Sequence, residues 1–64
     1  MSLPKALCSH CGLEFEAAAP NPEAIEVVRE VLARHLATQH HLPREEAAAV
    51  AAEWARTRLS QLVS

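Results

Sequence analysis

The chain is short of nearly everything that announces a function. Its 64 residues include one glycine, Gly12, and two aromatics, Phe15 and Trp54, with no tyrosine. Half of the residues are nevertheless apolar, so any core must be built from Leu, Val, Ile and Ala. Charge is scarce and nearly balanced, with six Lys and Arg against eight acidic residues and a formal net charge of −2. No basic excess is present to condense on a nucleic-acid backbone, and no acidic block forms a solvating tail. No apolar run approaches the roughly 18 residues needed to span a bilayer. Residues 1–7 lack the apolar segment of a secretory signal, so the expected setting is a reduced cytoplasm without membrane attachment. Internal repeats are lacking too. So are a Ser/His/Asp constellation, a phosphate-cradling loop and a paired-carboxylate signature, and the residues therefore argue against an enzyme.

Against this background four residues stand out. Cys8 and Cys11 are separated by two residues, and His35 and His40 by four. Two thiolates and two imidazoles are the ligand set of a closed tetrahedral zinc site. The length sharpens the point, because a single domain of residues 1–64 buries a modest core and usually needs a disulfide, a metal or a partner. A Cys8–Cys11 disulfide would close too small a loop to restrain the unfolded chain much, and would not persist in a reducing compartment. A redox role for Cys8-Ser9-His10-Cys11 would call for a βαβ context that this sequence does not suggest. Metal ligation is the reading that remains.

Periodicity divides the chain into a hairpin over about 5–18, a helix over about 22–40 and a second helix over about 44–62, a ββαα arrangement. Leu13, Phe15 and Ala17 alternate with Glu14 and Glu16, the period of a half-buried strand. Gly12 follows the second cysteine, where a knuckle turn needs a positive φ. The partner strand near Leu3–Leu7 is weakened by Pro4. Asn21 caps the first helix, Pro22 suits its first position, and Glu23 and Glu26 favour its positive end. Ala24, Val28, Val31, Leu32 and His35 share one face, flanked by Ile25 and Leu36. Pro43 ends this helix near His40 or His41. In the second helix Ala47, Val50, Ala51, Trp54, Ala55, Arg58 and Leu62 form the inward stripe. Ala48, Ala49 and Ala52 fall outside it, either for helix propensity or as a second contact surface.

Phe15 follows Cys11 with three residues between, and Leu32 precedes His35 with two between. These positions resemble the ligands and core hydrophobics of the two-Cys/two-His zinc finger at its two ends. The middle departs from it, with 23 residues between Cys11 and His35 where the finger has about 12. The whole pattern is more similar to the predicted small metal-binding proteins of prokaryotes, a family of unknown function. In these a Cys-containing hairpin precedes an acidic helix ending in H-x4-H, then a short link and a second helix. The likeness spans roughly residues 8–58; it implies a zinc-stabilised ββαα fold and no activity.

Spacing alone leaves the fourth ligand open. On an ideal helix His40 lies about 140° round from His35, and His41 about 120° the other way. Resemblance to H-x4-H selects His40, leaving His41 either beside the ligands as their support or on the surface, and His10 pointing to solvent. The expected metal set is thus Cys8, Cys11, His35 and His40 around one structural Zn²⁺, with no position vacant for a substrate. Counting back from His35 puts Val28, Val31 and Arg34 at the base-reading positions of a finger helix. Two of the three are apolar, and Glu23, Glu26 and Glu30 would face phosphates with the wrong sign, which argues against specific duplex DNA binding. The expectation is a protein partner or a homodimer, reached through the alanines of the second helix; the alternative is a finger-like nucleic-acid binder touching a backbone through Arg44, Arg56 and Arg58, and after it an enzyme with an open zinc site.

Overall fold

A computed structural model describes residues 3–63 and places strand β1 at Lys5–Leu7, β2 at Glu14–Glu16, helix α1 at Pro22–Gln39 and α2 at Arg44–Val63. The two strands pair antiparallel with Ala6 opposite Phe15, and two helices follow, which is the ββαα arrangement read from the sequence. Ala6 is fully buried and Phe15 half-buried, so this non-polar pair forms the inner face of the hairpin. On the outer face Lys5 meets Glu16 at 3.9 Å. Both side chains are largely solvated, so that pair contributes at most about 1 kcal/mol.

The strands are shorter than the alternation suggests. Pro4 cannot donate to a ladder, yet its carbonyl accepts the Ala17 N–H at 2.9 Å and so extends the pairing at one end. At the other end Leu13 belongs to the turn, where its carbonyl accepts the Cys8 N–H at 2.9 Å. Leu13 is accordingly 49% exposed, which corrects its expected place on the inner face beside Phe15 and the buried Ala17. Gly12 has φ of 78° and no atom within 4 Å of where a Cβ would stand. Its need is therefore conformational and not a matter of space.

Asn21 caps α1 from an extended conformation, its Oδ1 accepting the Ala24 N–H at 2.8 Å. Pro22 and Glu23 occupy the first turn. Ile25, Val28, Leu32 and Leu36 are the buried residues of this helix, at successive spacings of three, four and four. Val31 is 44% exposed, so the inward face lies toward Ile25 and Leu36 instead of being centred between Val31 and Leu32. The shift follows from α1 being packed on two elements, the hairpin and α2, which widens the arc it must bury. The helix ends at Gln39, and His40 and Leu42 both donate N–H bonds to the Leu36 carbonyl, each at 3.3 Å. Between them His41 takes φ of 54°, the left-handed geometry that histidine tolerates better than most residues.

Helix α2 buries Ala47, Ala51 and Ala55, one small side chain per turn, and so lies close along α1. Val50 is 47% exposed and does not pack inward as expected. Its place on the helix is displaced from the narrow Ala47–Ala51–Ala55 line, and so short a ridge covers little to either side. Trp54 is half-buried against the core and its Nε1–H donates to the Lys5 carbonyl at 2.9 Å, which ties α2 to β1 as well as to α1. Ala48, Ala49 and Ala52 are exposed.

Candidate metal centre

The hairpin and the C-terminal end of α1 bring four soft and borderline ligands to one point. Cys8 leaves β1 into the turn and is 1% exposed; its carbonyl accepts the Gly12 N–H at 2.7 Å, closing the knuckle. That closure places Cys11 on the outer side of the same turn, exposed to solvent. His35 projects from the penultimate turn of α1, and His40 stands just beyond the last helical residue.

The distances are those of a coordination polyhedron. Cys8 Sγ lies 3.3 Å from His40 Nε2, Cys11 Sγ lies 3.4 Å from His35 Nε2, and the two Nε2 atoms are 3.2 Å apart. All four ligand atoms fall within 4.8 Å of one another. Ordinary Zn–S and Zn–N bond lengths in a tetrahedron put nitrogens about 3.3 Å apart and sulfur about 3.6 Å from nitrogen. Two imidazole nitrogens and two sulfurs turned toward a common centre at these separations are positioned to bind a metal ion.

Of His40 and His41, His40 joins the cluster, through its contacts with Cys8 Sγ and His35 Nε2, and His41 lies outside it. The helical objection to His40 is removed because this residue is no longer helical: its φ of −116° and ψ of 5° unwind the chain at the cap. The left-handed His41 then turns the backbone away toward Leu42, which packs on the core. His10 is exposed as its place in the knuckle suggests, but its ring also lies 4.9 Å from that of His40. Nothing in the spacing signalled that contact, since it depends on where the end of α1 meets the turn. Phe15 meets the His35 ring edge-on at 5.3 Å and so fixes its orientation from the apolar side.

The electrostatics favour the deprotonated forms that a metal requires. Burial pushes the Cys8 thiol up, but hydrogen bonds to its sulfur from the His10 and Cys11 backbone and the Cys11 side chain outweigh it, leaving the thiol below its ordinary value. Burial and the charges of His10, His35 and His41 together lower the His40 imidazole. A histidine lowered in the fold resists a proton that the unfolded chain accepts, so stability rises with pH through the ordinary histidine range and falls on acidification. The Cys8 shift has the same sign, since protonating its favoured thiolate also opposes the fold. Metal release and loss of helical circular dichroism are therefore expected together as the pH falls from about 7 to about 5. Full retention of metal at about pH 4, well below the histidine range, would contradict this.

A separate expectation concerns ligand choice. His40→Ala should weaken metal retention in a chelator competition by far more than His41→Gly, glycine being chosen because it accepts the left-handed φ without strain. The reverse order would reassign the ligand.

Among the described residues no helix is long and apolar enough to cross a membrane. Comparison with protein-family models, with curated proteins and with solved structures gives no match to this chain.

Proposed function

We propose that the protein is a zinc-stabilised mini-domain, carrying one Zn²⁺ per chain through Cys8, Cys11, His35 and His40, and that it works as a protein-interaction or self-association module. The observation that carries the reading is the convergence of the four ligand atoms from two separate elements. Two thiolates and two imidazoles suit zinc better than the hard cations, which take oxygen ligands. With four protein ligands the ion has no position left for substrate, so its work is to clamp the hairpin to the end of α1. The resemblance to the predicted small metal-binding proteins of prokaryotes supports the same role and adds no activity.

The interaction role rests on α2. Ala48, Ala49 and Ala52 are exposed on a helix whose buried ridge is elsewhere, and their small side chains let a second helix come close. A native mass spectrum of the purified chain tests the reading, with one zinc per protomer expected. The double variant Ala48→Lys with Ala52→Lys should keep zinc and helicity while losing association. A chain that holds no zinc would refute the first half. Association indifferent to both lysines would refute the second. Titration with duplex DNA should show no sequence-dependent affinity in the roughly 10⁻⁸–10⁻¹¹ M range of specific binders.

A further inference from the structure

Between the C-terminal half of α1 and the start of α2 runs an open groove of about 330 Å³. It is lined by Ala33, Ala37, Ala47 and Ala48, by Thr38, and by Arg34 and Arg44. The chain's cations are otherwise engaged. Lys5 pairs with Glu16, Arg29 with Glu26 and Arg56 with Glu53, while Arg58 bonds to Gln61. Of the Lys and Arg side chains, Arg34 and Arg44 are the two without an ion-pair or hydrogen-bond partner among the described residues, and both line this one groove. Glu45 and Glu46 share the first turn of α2 with Arg44 but do not line the groove.

We infer that the groove is the docking site of an acidic segment of a partner protein, helical and rich in small residues. This rests on the interaction role proposed above and names the chemistry of the partner. Charge complementarity selects the occupant: three of the six Lys and Arg side chains, Arg34, Arg44 and Arg58, have no carboxylate paired with them among the described residues, and two of the three line this groove. Guanidinium groups match carboxylates in a fixed fork geometry, and arginine is enriched where protein surfaces meet. The methyls of Ala33, Ala37 and Ala48, which are not buried, add a demand that a bare anion does not meet, because an inorganic ion would leave them uncovered. A helix bearing glutamates among alanines meets the arginines and covers these methyls at once.

The test uses the zinc-loaded full chain labelled with nitrogen-15. The probe is a blocked helix-forming peptide of alanine and glutamate, alongside its counterpart with glutamine at every glutamate, and inorganic phosphate alone. The acidic peptide should shift the amides of Ala33, Ala37, Ala47 and Ala48 together with the side-chain Nε–H signals of Arg34 and Arg44. Arg34→Gln and Arg44→Gln should each weaken that binding about tenfold, as loss of one charge-assisted contact implies. Equal binding by the glutamine peptide, or by both variants, would overturn the inference. So would phosphate shifting the same amides as far as the peptide does, which would mark a plain anion site. Shifts of these amides on simple dilution of the chain would assign the groove to a second copy and overturn it likewise. Zinc content and helicity are read in every arm, so a failed groove leaves the metal reading standing, and a failed metal reading is seen directly.

Discussion

Chelation of zinc is expected to abolish most of the helical circular dichroism of this protein. The four residues positioned to bind a metal ion are 8, 11, 35 and 40, so a bound ion would join the hairpin to the far end of α1, and the unfolded chain holds no such cluster. Binding free energy is then folding free energy, about 10–16 kcal/mol for structural zinc at neutral pH. A core of this size rarely supplies more than about 3–5 kcal/mol, and often close to none, without such a staple. The core here sits at the low end of that range by composition, since five of its eight buried members are Ala6, Ala17, Ala47, Ala51 and the ligand Cys8. Far-ultraviolet circular dichroism before and after a zinc chelator, with zinc then restored, measures the effect. A chelated protein that keeps its helicity and melts sharply would show that packing alone suffices.

The second large effect is expected at Leu36. Its side chain is 2% exposed and belongs to the core cluster, next in sequence to His35 and one turn before His40. Leu36→Ala should remove about 2–5 kcal/mol, the usual loss for a buried leucine truncated to alanine. That is comparable to the most a core of this size supplies, so the metal-free variant, like the chelated wild type, should be unfolded. The zinc-loaded variant should still fold, because the metal contributes more than the cavity removes. Since folding and binding are coupled, the same loss should appear as a weaker apparent zinc affinity, by about 30-fold to several thousand-fold at 1.4 kcal/mol per decade. A competition titration reads this directly. An unchanged affinity would mean that the site forms independently of the core.

The features legible in the sequence were those governed by local chemistry. Asn21 and Pro22 announced the start of α1, Gly12 the knuckle turn, and Pro43 the break between helices, and each acts within a few residues of itself. The Cys and His cluster was legible because few other roles call for two cysteines two residues apart in a chain this small. The choice of His40 was not, because ideal helical angles place neither His40 nor His41 beside His35. It was decided by the unwound cap at His40 and the left-handed turn at His41. The faces of the helices were harder to read for a related reason. Valines at 27, 28 and 31 and alanines on every side of α2 give an apolar arc broader than the contact it makes, and only the packing of three elements decides that Val31 and Val50 stay out. Long-range contacts such as Trp54 to the Lys5 carbonyl and His10 to His40 join residues 49 and 30 apart, with no periodic signal between them.

The central claim is that one zinc ion is held by two sulfurs and two nitrogens of a single chain. X-ray absorption at the zinc edge of the purified, monodisperse protein tests it most directly. The account predicts a four-coordinate shell with two sulfurs at about 2.3 Å and two nitrogens at about 2.0–2.1 Å, losing one nitrogen in His40→Ala. A shell of four sulfurs shared between chains, one containing an oxygen in place of a nitrogen, or one unaltered by His40→Ala would contradict it.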